Sequence, residues 1–121
     1  MDRRLLGALG ESMAAADYRK DGYEMVAANY RTRQGEVDLI VRKGKLYVFA
    51  EVKTRSPGAI AAPRESVTRH KRQRILLAAR MFLSERELGD VPVRLDVVEV
   101  LADGDGGFSV HRLENAFEEN G

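Results

Sequence analysis

The chain has no cysteine and no tryptophan, and only two of its 121 residues are histidine. The lack of cysteine excludes disulfide bonds, zinc–thiolate sites and cysteine nucleophiles. Neither His70 nor His111 has a partner in the sequence that would indicate a histidine metal site or a Ser-His-Asp triad. These absences exclude several common classes of metal centre and active site.

Long hydrophobic runs are also absent. No apolar run approaches the roughly 18 residues that span a membrane, and the basic N-terminus turns polar by Gly10, too early for the core of a signal peptide. Hydrophobic residues make up 44% of the chain and charged residues 32%, as in ordinary globular proteins. We therefore expect one cytoplasmic domain over residues 1–121, with no membrane partner and with a disordered acidic tail from about residue 118.

The net charge of +1 conceals a separation of charge along the chain. Residues 31–80 hold 13 Lys and Arg against four Asp and Glu, whereas the remaining residues hold seven basic against 15 acidic side chains. A basic segment of this kind predicts a polyanionic partner. Ordinary solubilising charge is the alternative explanation, because a count of charged residues does not show where they lie on the protein surface.

The spacing of apolar and turn-forming residues predicts an α/β fold in the order α-β-β-β-α-β, followed by one short strand. The predicted helices cover residues 3–20 and 66–87, and the predicted strands cover residues 23–31, 36–42, 45–53, 93–101 and 108–113. Residues 54–65 are expected to form a long loop. The connection between strands 45–53 and 93–101 is long enough for a parallel crossover, so the sheet should be mixed and flanked by helices.

An apolar stripe runs along the first predicted helix. Leu5, Leu9 and Met13 recur at helical spacing, which predicts that they face the core. Glu11 lies on the opposite side, beside Gly7, where the lack of a side chain would let another backbone approach closely. Glu11 is therefore either a solvated helix residue or a candidate site residue.

Charged residues occupy alternate positions in two strand-like runs within GEVDLIVRKGKLYVFAEVKTR, from Gly35 to Arg55. Because side chains alternate across a strand, one face of the pair is wholly apolar. The other face is apolar near the turn and charged at its far end, and its charged members are Glu36, Asp38, Glu51 and Lys53. This mixed face indicates the floor of a half-buried cleft and not a uniformly solvated surface.

A two-residue loop at Lys43-Gly44 predicts how these strands pair. The predicted pairs are Ile40 with Tyr47, Asp38 with Phe49 and Glu36 with Glu51. Asp38 would then lie diagonal to Glu51, and the carboxylates would crowd together at a cost in stability. Either a metal ion or the basic side chains of Lys53 and Arg55 would have to neutralise them.

Oxygen-only ligands favour Mg²⁺ or Mn²⁺. Asp38 and Glu51 would bind the ion, with the backbone carbonyl of Val52 as a further ligand, and Lys53 would orient water or stabilise charge in the transition state. The alternative is a structural cluster of salt bridges. The motif E-V-K alone is common, whereas G-E-V-D followed by a glycine turn and E-V-K-T-R is much more specific.

Basic residues of the second predicted helix provide further candidates. Lys71 shares a helix face with Ile75 and Phe82, so it either reaches the carboxylates or a phosphate, or extends along the edge of the sheet to solvent. The arginines for which we predict phosphate contacts, with ordinary solvation as the alternative, are Arg31, Arg55, Arg64, Arg69, Arg72 and Arg74. Asp96 alternates with apolar residues in strand 93–101, and we expect it to pair with an arginine in a structural role.

These motifs resemble the YraN family of bacterial endonuclease-like proteins, and the resemblance covers nearly the whole chain. That family is similar to Holliday-junction resolvases of the PD-(D/E)xK nuclease superfamily. The matching segments are Gly7, Gly10-Glu11, Gly22, Asn29-Tyr30-Arg31, Gly35-Glu36-Val37-Asp38, Glu51-Val52-Lys53-Thr54-Arg55, Val67-Thr68, Lys71, Arg74, Arg94-Leu95-Asp96-Val97-Val98 and Asn115-Ala116-Phe117. The sequence departs from the family at Asp17-Tyr18-Arg19-Lys20, which concerns helix packing and not the motifs.

The resemblance implies a restriction-endonuclease-like core and Mg²⁺- or Mn²⁺-dependent hydrolysis of phosphodiester bonds in DNA, branched or otherwise structured DNA included. It implies that Asp38 and Glu51 bind the metal, and that Lys53 is the catalytic lysine. Glu11 would complete the site as the acid of the first helix. The secondary site residues would be Glu36 and Lys71. Cleavage of two strands, as in resolvases, would imply a homodimer.

Two other interpretations compete with the nuclease. A nucleic-acid-binding module could keep the nuclease fold without turnover, and it would bind nucleic acid in a salt-sensitive manner. A small structural domain, whose acids form internal salt bridges, would bind neither metal nor nucleic acid.

Overall fold

The patterned segments of the sequence form two helices and five strands in the computed structural model, which describes residues 3–56 and 68–117. The elements are α1 (Arg3–Lys20), β1 (Glu24–Arg31), β2 (Glu36–Lys43), β3 (Leu46–Arg55), α2 (Arg69–Glu85), β4 (Val93–Ala102) and β5 (Phe108–Leu113). Neither of these helices is long and apolar enough to cross a membrane. Most of the predicted loop, including Arg64, and the tail from about residue 118 lie outside the described residues.

The strands form one sheet in the order β1-β2-β3-β4-β5. β3 and β4 are parallel, and all other neighbours are antiparallel, because α2 returns the chain across the sheet between β3 and β4. The predicted α/β fold, with a mixed sheet flanked by helices, is therefore confirmed. The architecture is consistent with a restriction-endonuclease-like core.

Each helix covers its own hydrophobic core, one on each face of the sheet. The core under α2 includes Ile40, Phe49, Ile75, Ala78, Phe82 and Leu95, and the core under α1 includes Ala14, Tyr18, Val41, Val48, Ala50 and Val98. The rings of Phe49 and Phe82 lie 5.9 Å apart in an edge-to-face arrangement. The core under α2 also contains Val37, so on β2 the charged residues Glu36 and Asp38 flank a buried apolar side chain.

The face of α1 that contacts the sheet differs from the predicted one. Leu5 is 54% exposed. The buried residues of the helix are Gly10, Ala14, Ala15 and Tyr18. A Cβ atom added to Gly10 would overlap the Thr54 side chain, so small residues let the helix backbone approach β3 closely. The predicted core face is therefore wrong for Leu5, whereas Met13 of the same stripe does pack partly against the core under α1. The buried face combines small residues with Tyr18, a combination that the apolar stripe does not reveal.

The hairpin between β2 and β3 is shifted by two residues from the predicted pairing. Ile40 pairs with Phe49, and the chain turns at Gly44-Lys45. Gly44 has a φ of +60°, which suits the first central residue of a tight hairpin turn. Both pairings have the same parity, so Ile40 and Phe49 share a face in either case. Val37, however, packs in the core under α2 with Ile40, whereas Leu39 and Val41 pack in the core under α1. The prediction that these three residues share one apolar face is therefore wrong for Val37, because the regular pairing of β2 with β3 ends at Leu39–Ala50.

A buried polar network joins α1 to β4 on the face away from the charged cleft. Asp96 is fully buried, and it accepts hydrogen bonds from the Tyr18 hydroxyl at 2.7 Å and from Arg94 Nε at 2.9 Å. The backbone N–H of Asn115 donates a further bond to the same carboxylate at 3.0 Å. The expected pairing of Asp96 with an arginine is confirmed. Tyr18 lies within the segment that departs from the family pattern, and its hydroxyl explains why a polar group is tolerated there.

Candidate metal and active site

The site begins where the pairing between β2 and β3 stops. The paired residues end at Leu39–Ala50, although β3 continues to Arg55. Beyond that point, a side-chain oxygen of Asp38 accepts a hydrogen bond from the backbone N–H of Val52 at 2.8 Å. The carboxylate is therefore held by the backbone of the neighbouring strand, which restricts its orientation.

An open cavity of about 290 Å³ lies at this end of the sheet. Its walls are Glu11, Glu36, Asp38, Glu51, Val52, Lys53, Lys71, Arg74 and Ile75. The structure thus brings together all the residues that the sequence predicted for catalytic, metal-binding and secondary positions. They come from α1, β2, β3 and α2, so the site depends on the tertiary fold and not on one segment.

Asp38 and Glu51 are like charges at the centre of this cavity. Burial, reinforced by the charge of Glu51, raises the pKa of Asp38 to about 7 in spite of the hydrogen bond from Val52. The raised pKa shows that the pair is not fully compensated by the surrounding protein. A cation between the two carboxylates would favour their charged forms.

Two lysines lie beside the carboxylate pair. The Nζ atom of Lys53 is 3.2 Å from Glu51 Oε1. Burial lowers the pKa of Lys53, but hydrogen bonding to Lys71 and the proximity of Glu51 outweigh it, so the pKa is raised. The hydrogen bond with Lys53 and, secondly, burial lower the pKa of Lys71. Lys53 therefore keeps its positive charge next to Glu51, and Lys71 is the more readily deprotonated amine of the two.

The other two carboxylates of the cavity are engaged by residues of β1. Glu11 Oε1 accepts a hydrogen bond from Asn29 Nδ2 at 3.0 Å. Glu36 lies 3.6 Å from Arg31 Nε, in a pair whose side chains are 54% and 73% exposed. We call Asp38 and Glu51 the inner pair, and Glu11 and Glu36 the outer pair.

A close backbone contact fixes the position of α2 against the start of β2. A Cβ atom on Gly35 would overlap the backbone carbonyl of Arg74. Any larger residue at this position would push α2 away from β2. Because Gly35 precedes Glu36, and Gly10 likewise precedes Glu11, each outer carboxylate follows a glycine that allows a close contact.

The inner pair has the donor set that a small hard cation requires. Mg²⁺ is commonly bound by one or two carboxylates, with substrate oxygens and water completing its octahedral shell. Within residues 3–56 and 68–117, no group of three or more acidic, histidine or cysteine side chains is arranged to hold a metal. Contacts with Asn29 and Arg31 engage the carboxylates of Glu11 and Glu36. Two inner carboxylates and the Val52 carbonyl fit a Mg²⁺ or Mn²⁺ ion that also binds substrate.

The predicted phosphate-binding arginines do not all lie at the cavity. Arg74 lines it, whereas Arg31 pairs with Glu36 and Arg55 donates to Glu99 at 2.8 Å. Arg69 and Arg72 lie in the first turn of α2 and are not among the residues that line the cavity. The predicted phosphate contacts themselves stay predictions.

Glu99 is a residue of this region that the sequence did not single out. It is 7% exposed, and it neighbours Lys53 in the parallel register of β3 and β4. Glu99 neutralises Arg55, so that arginine is tied to the sheet. Glu99 alternates with Val98 and Val100 in the sequence of β4, so it could have been noticed as a charged residue in an apolar strand. Its position next to Lys53 could not have been predicted, because the sequence of one strand does not reveal the register of a parallel pair.

Comparison with known proteins identifies a family that matches most of this chain. Residues 10–100 match the uncharacterised protein family UPF0102. A UPF0102 protein of Desulforapulum autotrophicum is 41% identical over 116 residues, which cover 96% of this chain and 95% of the relative. One from Symbiobacterium thermophilum is 40% identical, over 97% of this chain and 98% of the relative. One from Nocardia farcinica is 46% identical, over 83% of this chain and 79% of the relative.

Proposed function

The chain belongs to the UPF0102 family, and we propose that it is a metal-dependent endonuclease that hydrolyses phosphodiester bonds in DNA. The observation that carries the proposal is the position of Asp38 and Glu51 in one cavity, where burial and then the charge of Glu51 raise the pKa of Asp38 to about 7, with the Lys53 ammonium 3.2 Å from Glu51. Two acids and a lysine on paired strands are the arrangement expected of the PD-(D/E)xK nucleases that the motifs resemble. We place the chain in that superfamily as part of the proposal.

The inner pair and the Val52 carbonyl would hold Mg²⁺ or Mn²⁺, and Glu11 would join them as an outer ligand. Such an ion supplies Lewis-acid polarisation of the phosphodiester and a lowered pKa for water. Asp38 has to lose its proton before it can bind a cation, so binding should strengthen as the pH rises through about 7.

The remaining groups act on the phosphate and on the attacking water. Lys53, whose charge Glu51 maintains, would stabilise the negative charge that develops on the phosphate oxygens, or orient the water. Lys71 faces the same cavity from α2 and would act as a secondary group there. Glu36 would position water at the rim.

The substrate is DNA, and we propose branched or otherwise structured DNA as the preferred form. The excess of basic residues in 31–80 supports a polyanionic partner. Cutting two strands of a junction would require a homodimer. The test is incubation of the pure protein with linear, single-stranded, flap and four-way-junction DNA, in Mg²⁺, Mn²⁺ or EDTA, with binding and cleavage both scored.

The control for this assay is the double variant Asp38→Ala, Glu51→Ala. It should abolish cleavage and leave DNA binding intact, because it removes the metal ligands and no basic residue. Cleavage that survives the double substitution would refute the assignment of the inner pair.

A second candidate function is a nucleic-acid-binding module that keeps the fold without turnover. It is favoured by the engagement of Glu11 with Asn29 and of Glu36 with Arg31, since these contacts occupy two of the four carboxylates that line the cavity. Salt-sensitive binding, without cleavage of any of the substrates in either metal, would support this function over the first.

A further inference from the structure

A second cavity adjoins the first at the end of β3. It has a volume of about 370 Å³ and shares Glu11, Val52 and Lys53 with the cavity of the inner pair. Arg3 and Gly7 of α1 line its far side. The two cavities therefore form one groove, which extends from α2, past the inner pair, to the first turns of α1.

Gly7 is a helix-interior glycine that packing does not explain. A Cβ atom there would meet no atom within 4 Å, unlike at Gly10, where α1 contacts Thr54. Glycine destabilises a helix interior relative to alanine, so its presence in α1 calls for another reason. The missing side chain leaves open space on the wall of the second cavity.

The groove is acidic at its centre and basic at both ends. The inner pair lies in the middle, Arg74 lines the end at α2, and Arg3 lines the end at α1. Within the described residues, no ion pair is formed by Arg3 or Arg74. Each guanidinium can therefore bind a phosphate on either side of a central phosphate.

We propose that this groove holds one nucleic-acid strand, with Arg3 and Arg74 binding the phosphates that flank the reacting phosphate. The proposal rests on the proposed function and extends it by fixing the path of the substrate. Each cavity has about the minimum volume of a small-ligand site, roughly 300 Å³. Among the residues that the structure describes, no aromatic side chain lines either cavity, so the bases would not be stacked and recognition would follow the backbone.

Fluorescence anisotropy in EDTA measures the binding of a fluorescein-labelled single strand. Because EDTA removes the metal, this measurement tests the path independently of catalysis. Arg3→Glu should weaken binding roughly tenfold and lower the slope of log K against log salt by about 0.7 or more, because one phosphate contact is lost. Arg19→Glu is the matched control, since Arg19 lies exposed at the other end of α1. This control should bind within about twofold of the wild type.

Two substitutions at Gly7 test the space in the groove. Gly7→Leu should fill the second cavity and weaken binding about as much as Arg3→Glu, whereas Gly7→Ala should fold at least as stably and bind nearly normally. Thermal unfolding of each variant separates a blocked groove from a damaged helix. A Gly7→Leu protein that folds and binds like the wild type would overturn the path.

The outcomes distinguish the path from the endonuclease function. If Arg3→Glu binds no more weakly than Arg19→Glu while the wild type still cleaves DNA, the path is wrong and the function stands. If Arg3→Glu binds weakly but no substrate is cleaved in Mg²⁺ or Mn²⁺, the path is supported and the nuclease is not. Tighter wild-type binding to blunt duplex than to the same single strand would also overturn the path. Failure of the wild type to bind any nucleic acid would overturn both proposals.

Discussion

Replacing Asp38 with asparagine should stabilise the protein above neutral pH, although it removes a central residue of the proposed site. In the folded protein, burial and then the charge of Glu51 raise the pKa of Asp38 from 3.8 to about 7. A group whose pKa is raised on folding contributes fully below its unfolded pKa, and the contribution is lost as the pH rises through the folded pKa. The free energy of unfolding of the wild type should therefore fall between about pH 4 and pH 7, relative to a variant that does not titrate there.

The size of the effect follows from the two pKa values. The interval from 3.8 to about 7 corresponds to about 4 kcal/mol at full titration, since each pKa unit is about 1.4 kcal/mol. Water reaches the open cavity and screens the charge of Asp38, so about half of this value is realistic. We expect Asp38→Asn to be more stable by roughly 2 kcal/mol at about pH 8, and by under about 0.5 kcal/mol at about pH 4.

Urea unfolding in EDTA at the two pH values measures this difference directly. The asparagine amide oxygen can still accept the Val52 N–H, so the hydrogen bond is preserved. Asp90→Asn, on an exposed residue, is the matched control and should change stability little at either pH. Mg²⁺ should then stabilise the wild type at high pH but not Asp38→Asn, through preferential binding to the folded state. An Asp38→Asn protein with the same stability as the wild type at both pH values would refute the proposed crowding of the inner pair.

Three further substitutions test the framework of the site, each by chemical denaturation. Gly35→Ala should lower the free energy of unfolding by about 1–3 kcal/mol, because the new methyl group meets the Arg74 carbonyl; Gly104→Ala, with no atom within 4 Å, should be nearly neutral. Asp96→Ala should lower it by about 1–3 kcal/mol, since it leaves the buried Tyr18 hydroxyl without its acceptor while the half-buried Arg94 keeps Glu114, and an unchanged stability would contradict the structural role. Thr68→Ala should lower it by about 1 kcal/mol, because Thr68 caps α2 through the Lys71 N–H; a neutral result would show that other interactions hold the helix end.

The strand-level features of the site were predictable from the sequence because they depend on local rules. Alternation predicted that Glu36, Asp38, Glu51 and Lys53 lie together, and all four line one cavity in spite of a two-residue error in the hairpin pairing. The irregular start of β2, where Val37 joins the core under α2, was not predictable from alternation. An even shift of register moves partners along the strands without changing faces. The face of a strand is therefore robust, whereas the partner across the strand depends on the turn, which is at Gly44-Lys45.

The features that the sequence missed depend on distances between elements. The buried face of α1 follows from how closely Gly10 lets the helix approach Thr54, and an apolar stripe contains no such information. Glu99 becomes a neighbour of Lys53 only through the parallel register of β3 and β4. Arg3 reaches the groove only because α1 is placed against the end of β3. Each of these features could be predicted only if the crossover connection and the packing of the helices against the sheet were already known.

The inner and outer pairs differ in how firmly the protein holds them, and this difference bears on how a cation would bind. Asp38 is fixed by a backbone N–H, so it keeps its orientation without a ligand. Glu11 accepts an exposed hydrogen bond from Asn29, and Glu36 forms an exposed ion pair with Arg31, of a kind that is worth only about 0–1 kcal/mol. A cation at the inner pair could therefore draw Glu11 or Glu36 from its β1 partner at little energetic cost. The inner pair would recruit the ion, and the outer pair would complete its shell only when the ion and the phosphate are both present.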